Sequence, residues 1–302
     1  MSTPPFLDLP AGVDALTLST ARGPFAALAA RPPRPHGVVL LIPGWTGSKE
    51  DFIALLPLLS GDGWQAVTYD QRGQYESPGG PDDDYSLAGF GADAQAVADA
   101  VAPGEPVHLL GHSFGGLVAQ QAALGAPDRW HSLTLLCTGP GAFPDQGKVA
   151  LLRSTVEALR TRPLAEVYQV KIENDRARAR PGGPPPEPIE RFLRHRFVSN
   201  SAVSLGAMTE HLTSAPDRID EVAALRLPVH VVYGEDDDGW PVATQQQVAE
   251  RLGVTPHAIA GSAHSPNAEN PTALADLLTR LLAPRPTGRA ASAPRTRGRT
   301  RG

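Results

Sequence analysis

One stretch limits the fold of this chain more than any other: Pro106-Val107-His108-Leu109-Leu110-Gly111-His112-Ser113-Phe114-Gly115-Gly116. Val107, Leu109 and Leu110 supply the apolar run of a buried strand. From Gly115 to Ala123 the pattern is helical, with a glycine-rich first turn. Ser113 stands at the break between the two. A strand that turns abruptly into a helix at a Gly-x-Ser-x-Gly sequence holds its serine in a strained conformation, hydroxyl outward above the sheet. Gly111 and Gly115 flank it because a Cβ at either place would collide with the neighbouring strand or helix.

The rest of the chain repeats this strand–helix unit. Residues 14–20 and 24–30 read as a hairpin, and 37–42 as a strand buried on both faces. Residues 51–60 read as a helix with Phe52, Leu55, Leu56 and Leu59 on one face. Strands follow at 65–69, 131–137, 228–233 and 256–260, with helices at 86–102, 242–252 and 271–282. This alternation predicts a mostly parallel central sheet flanked by helices. The rhythm breaks after Thr138-Gly139-Pro140-Gly141, and residues 142–215 contain no clear strand. Helices are expected there at 149–160, 189–197 and 202–212, with 176–188 as a loop. The expected organisation is a core of residues 1–139 and 216–283, an inserted helical cap of residues 140–215, and a disordered basic tail of residues 284–302.

In a parallel sheet, active groups gather at the carboxyl ends of the strands. That rim takes Trp45, Ser113, Asp237 and His264, each of which directly follows a predicted strand. A serine hydroxyl needs a base within hydrogen-bond reach. Of the nine histidines, His108 and His230 lie inside strands, and His112 is expected to diverge from Ser113 in the sharp turn. His264 sits in a loop at a strand's carboxyl end and can lean towards Ser113. The imidazole in turn needs a carboxylate, and Gly234-Glu235-Asp236-Asp237-Asp238 offers several. Asp237 is the choice, with Asp238 and then Asp236 as alternatives. A tetrahedral intermediate needs two donors for its oxyanion; the backbone N–H groups of Phe114 and Trp45 are the candidates. The rings of Trp45, Phe114 and Trp240 are expected to line the substrate pocket.

The remaining composition excludes more than it assigns. The net charge is −5, and the six arginines after Ala283 make the tail basic and leave the body more acidic. Neither nucleic acid nor a membrane is expected as a partner. The single cysteine, Cys137, rules out an intramolecular disulfide. The absence of a leader-like or long apolar segment makes a cytoplasmic protein the default expectation. No His/Cys/carboxylate spacing fits a metal, and no cofactor is called for. The arginines of residues 176–196, offset by Asp175, Glu187 and Glu190, read as a solvated surface. The oligomeric state is not legible.

These motifs together resemble the α/β-hydrolase fold superfamily over about residues 10–283. The resemblance rests on Leu41-Ile42-Pro43-Gly44-Trp45-Thr46-Gly47-Ser48, on Asp70-Gln71-Arg72-Gly73, and on the Ser113 turn. It continues through Gly234-Glu235-Asp236-Asp237 with Pro241 and through Gly261-Ser262-Ala263-His264-Ser265-Pro266. Five stretches in the family's order make the resemblance specific for fold. In the family the acid usually lies three residues after the loop glycine, which selects Asp237. Two departures are visible: Pro43 stands where many members have His, and Gln74-Tyr75-Glu76-Ser77 continues the Asp-x-Arg-Gly stretch where a Gly is more usual. Both are expected to reshape the pocket.

The resemblance implies a serine hydrolase that cleaves a small carboxylic ester or related acyl compound through Ser113, His264 and Asp237. It leaves open a non-ester member (an aminopeptidase, carbon–carbon bond hydrolase or perhydrolase) and a binding or receptor protein with a residual triad.

Overall fold

The computed structural model describes residues 2–177 and 183–283. The tail of residues 284–302 and part of the expected loop at 176–188 lie outside them. Eight strands form one sheet: β1 (Val13–Thr20), β2 (Gly23–Ala30), β3 (Val38–Ile42), β4 (Gln65–Tyr69), β5 (Val107–His112), β6 (Trp130–Leu136), β7 (Val229–Gly234) and β8 (His257–Ile259). Their spatial order is β1-β2-β4-β3-β5-β6-β7-β8. Only β2 runs against its neighbours; every pairing from β4 to β8 is parallel.

The helices are α1 (Leu55–Gly61), α2 (Leu87–Val101), α3 (Phe114–Gly125), α4 (Gln146–Thr161), α5 (Leu164–Ala177), α6 (Glu187–Val198), α7 (Ala202–Ser214), α8 (Ile219–Ala224), α9 (Val242–Leu252), α10 (Pro266–Glu269) and α11 (Pro271–Leu282). β3 and β4 are buried at every position, as the continuous apolar runs predict for strands covered on both faces. From β3 the chain passes to β4 on one side, then crosses back to β5 on the other. The loops after β3 and β5 therefore diverge at a topological switch point, the crevice in which open α/β sheets bind their ligands.

Helices α4 to α7 lie between β6 and β7, in the stretch expected as a cap. They carry a small core of their own, in which Leu159, Val167, Tyr168, Phe197 and Leu205 pack together. Met208 and Leu212 of α7 join the main core. Two differences from the sequence reading stand out. Helix α5 extends through Ala177, into a stretch read as loop. The expected single helix at 51–60 is a short 3-10 turn, Lys49–Phe52, followed by α1. The Lys49 N–H, an orphan donor at the start of this turn, donates to the Asp70 carboxylate at 2.7 Å.

Candidate active site

Ser113 has φ 55° and ψ −119°, a left-handed backbone that costs a non-glycine residue free energy and marks sites where structure over-determines the chain. Its surroundings enforce it. A Cβ on Gly115 would press into the Ile42 and Pro43 carbonyls, and one on Gly111 into the backbone of Gly115 and Gly116. With glycine at both places, α3 packs directly on β3 and β5. The Ser113 N–H donates to Leu136 O at 2.9 Å, and Thr138 Oγ1 donates to Ser113 O at 2.7 Å.

His264 reaches Ser113 from the loop between β8 and α10. Its Nε2 lies 3.0 Å from Ser113 Oγ, and its Nδ1 lies 2.7 Å from Asp237 Oδ1. The same Asp237 oxygen accepts the N–H groups of Gly239 at 2.8 Å and Trp240 at 3.1 Å, and Oδ2 accepts Gln245 Nε2 at 2.7 Å. Burial pushes the Asp237 carboxyl up, but hydrogen bonds from His264, Gln245 and Gly239, with the charge of His264, outweigh it and hold the group below the ordinary carboxylate value. Asp237 thus stays ionised although its side chain is fully buried. Of the candidate carboxylates, it is Asp237 that meets His264 Nδ1.

The loop after β3 closes over the same serine. An ideal Cβ on Gly44 would stand 3.1 Å from Ser113 Cβ, so a side chain here would crowd the serine. The backbone N–H groups of Trp45 and Phe114, on the loop after β3 and at the start of α3, have no hydrogen-bond partner among the described residues.

A cavity of about 600 Å³ opens above Ser113 and His264, walled mainly by Trp45, Phe143, Leu151, Leu152, Val167 and Leu212. Two of the expected pocket rings are not there. The Phe114 ring is wholly buried, meeting Phe90 edge-on at 5.7 Å; as the first residue of α3 it points into the core, and only its N–H faces the site. Trp240 is also wholly buried. It lies beneath Gly139, where any Cβ would collide with its ring, and stacks at 4.2 Å on Phe143. Phe143 takes the wall position assigned to Trp240, which backs it from below.

His112 departs from expectation too. Its ring does not diverge from the site but lies 5.1 Å from that of His264, and its Nε2 donates to His264 O at 2.7 Å. Burial, with the neighbouring His264, pushes its pKa down to about 3. A carbonyl can only accept, so the neutral ring carries its hydrogen on Nε2. Among the described residues, His112, Cys137 and His264 bring potential metal ligands within 4.8 Å of one another. Three of the four ring nitrogens already face Ser113, Asp237 and a backbone carbonyl, and burial pushes the Cys137 thiol up. This donor set suits hydrogen bonding rather than metal ligation. Arg191 pairs with Glu187 on the exposed face of α6, away from the cavity. Arg196, which the sequence reading grouped with it, is fully buried. No helix among the described residues is long and apolar enough to cross a membrane.

Comparison with known proteins agrees with this architecture. The family described as alpha/beta hydrolase fold matches residues 37–271. A pimeloyl-[acyl-carrier protein] methyl ester esterase of Aeromonas hydrophila is 30% identical over 215 residues, 70% of this chain and 82% of that protein. A 2-succinyl-6-hydroxy-2,4-cyclohexadiene-1-carboxylate synthase of Enterobacter sp. is 28% identical over 209 residues, 65% of this chain and 75% of that protein. Among solved structures, a thermophilic esterase from Thermogutta terrifontis superposes with a TM-score of 0.71 at 21% identity, covering 89% of this chain and 98% of that one. The chain is an enzyme that belongs to the α/β-hydrolase fold family.

Proposed function

We propose that the protein is a serine hydrolase that cleaves carboxylic esters through a covalent acyl-enzyme. The hydrogen-bonded chain Ser113–His264–Asp237 at the floor of an apolar cavity carries this reading. Ser113 Oγ attacks the ester carbonyl carbon while His264 Nε2 takes its proton. Asp237 keeps the imidazole hydrogen on Nδ1 and stabilises the imidazolium as it forms. The carbonyl oxygen, now an anion, is held by the N–H groups of Trp45 and Phe114. Collapse breaks the ester C–O bond, and His264 returns the proton to the leaving alcohol. Water then repeats the sequence on the acyl-Ser113 ester and releases the acid.

The cavity supports an extended acyl group. Lys148, Leu151, Leu152, Thr155, Ala158 and Arg162 line it from one face of α4 and its end, which at 1.5 Å per residue is a wall of about 21 Å. The Aeromonas relative is named for a methyl ester on a carrier-bound pimeloyl group, and an ester of an extended acid is the substrate class we assign here. No cofactor, nucleic acid or membrane enters this reading. The test is a panel of p-nitrophenyl esters, thioesters, lactones and aminoacyl amides, read for a burst of p-nitrophenol or its equivalent. Wild-type protein is expected to show a burst with the esters and to label with a fluorophosphonate, and Ser113→Ala to do neither. Labelling of Ser113→Ala at the wild-type rate would overturn the assignment.

A further inference from the structure

The segment Asp70-Gln71-Arg72-Gly73-Gln74 follows β4 and contributes nothing to the triad, yet its two glutamines reach the loop that carries Trp45. Both are buried, with 1% of their surface exposed. Gln71 Nε2 donates to Pro43 O at 2.9 Å, and Gln74 Nε2 donates to Gly44 O at 3.0 Å. The Gln71 N–H donates to Gln74 Oε1 at 3.3 Å. Each partner is a backbone group of fixed polarity, so the orientation of the Gln74 amide is unambiguous. Met208 of α7 adds a sulfur contact to Gln74 Nε2 at 3.6 Å.

The Gly44 carbonyl and the Trp45 N–H belong to one peptide unit. No peptide bond among the described residues is cis, and in a trans unit the C=O and the following N–H point in opposite directions. Whatever fixes the Gly44 carbonyl therefore fixes the Trp45 N–H. Gly44 O already accepts the Gly47 N–H at 3.0 Å, so Gln74 is not required merely to satisfy it. The second donor defines the plane of that peptide, and Gln71 does the same for the peptide before it. Thr46, next in the loop, has φ 57°, a strained left-handed conformation out of which the loop would relax if released.

We propose that Gln74 is a positioning residue that aims the Trp45 N–H at the oxyanion, with Gln71 holding the preceding peptide in support. This inference rests on the hydrolase reading above, because it concerns an oxyanion that only acyl transfer creates. An interaction made in the transition state alone lowers turnover without weakening substrate binding when it is lost.

The experiment compares wild type with Gln74→Leu, which is close in volume, and with Gln74→Glu, which cannot donate from an ionised carboxylate. Turnover of p-nitrophenyl butyrate is expressed per site titrated with a fluorophosphonate, so that unfolded molecules do not count. Both variants are expected to lose about 10- to 100-fold in kcat per site, below the full loss of an oxyanion donor, with KM within about threefold of wild type. The shape of the pH profile should not change. A trifluoromethyl ketone, whose hemiketal oxygen occupies the oxyanion position, should bind more weakly by the same factor as kcat falls. Turnover per site and ketone affinity within about twofold of wild type in both variants, alongside a lowered Tm, would overturn the proposal and leave Gln74 a packing residue. A wild-type protein with no burst on any ester would instead sink the hydrolase reading. Amide hydrogen exchange over residues 44–48 then decides the positioning claim. Faster exchange confined to that loop in Gln74→Leu supports it, and unchanged exchange overturns it.

Discussion

Arg196 of α6 and Asp51 of the turn before α1 form an ion pair of 2.6 Å in which neither side chain exposes more than 1% of its surface. The same guanidinium donates to Ser48 Oγ at 3.2 Å and to Ser2 O at 2.8 Å. Asn267 Nδ2 of α10 donates to Asp51 O at 2.7 Å. One arginine of α6 is thus tied to the loop after β3, and through Asp51 to the segment that follows His264. Arg196→Met leaves a carboxylate buried and unpaired, so the expected loss is about 3–5 kcal/mol of stability. The double variant Arg196→Met/Asp51→Leu should recover part of that loss, because no lone charge remains. Urea unfolding of the two single variants and the double variant measures the coupling; additive losses would show that the pair does not act as a unit.

Asp237→Asn should keep the fold and lose about 10⁴-fold in kcat, because an amide can donate where the imidazole hydrogen must be received. Adding Asp237→Asn to Ser113→Ala should cost nothing further, since the groups act together. Per-site kinetics on one ester check both. If Asp238→Asn were the damaging change and Asp237→Asn the silent one, the hydrogen bond from His264 Nδ1 would not be the one used in turnover.

Gly239 tests the same imidazole from another side. A Cβ there would drive into the ring of His264, so Gly239→Ala must displace the base. Turnover is expected to fall by at least about 10²-fold, the order contributed by a positioned general base. Near-normal turnover would show that the loop can shift without cost to the imidazole.

Two buried histidines should each weaken the fold as pH falls. Burial, with His131 and His230 nearby, pushes His108 down to about 4, and burial pushes His112 down to about 3. An unfolded histidine takes its proton near pH 6.5. Between pH 6.5 and about 4 the unfolded chain therefore binds protons that the folded chain refuses, and stability falls as pH falls. It is fully present above that window. His108→Phe should flatten the acid limb by up to about 1.4 kcal/mol per pH unit. Its turnover should hold, because His108 opens β5 and Ser113 follows the other end. An unchanged slope of unfolding free energy against pH would place the acid sensitivity elsewhere.

The strands were legible because parallel strands buried on both faces leave uninterrupted apolar runs, as in Val38–Ile42. Ser113 and His264 were legible because glycines and strand ends mark them locally. Asp237 needed the register of the family loop, since its neighbours are chemically alike. Helix α5 escaped notice because only Val167 and Tyr168 of its first half are buried, and against a small satellite cluster. Phe114 and Trp240 misled because a side chain beside the site can turn into the core while its backbone serves the site. The roles of Arg196, Gln245 and Gln74 depend on partners far away in sequence, and no periodicity encodes such pairings.

The apolar groove makes the last prediction. Lys148, near the start of α4, donates to Gly239 O, and Gly239 abuts His264, so this end of the helix stands over the catalytic floor. Ala158 lies ten residues further along the wall that lines the cavity, about 15 Å away. An indole at Ala158 is expected to fill the groove at that end of the helix. For Ala158→Trp, p-nitrophenyl acetate should be hydrolysed with kcat/KM within about threefold of wild type. The dodecanoate ester should lose about 10²-fold or more, because each methylene denied burial forfeits up to about 0.8 kcal/mol. Esters that place the long chain on the alcohol instead of the acid should be spared. Equal losses for acetate and dodecanoate would mean that the indole has disturbed the site itself, and sparing of dodecanoate would mean that the acyl chain leaves Ser113 by another path.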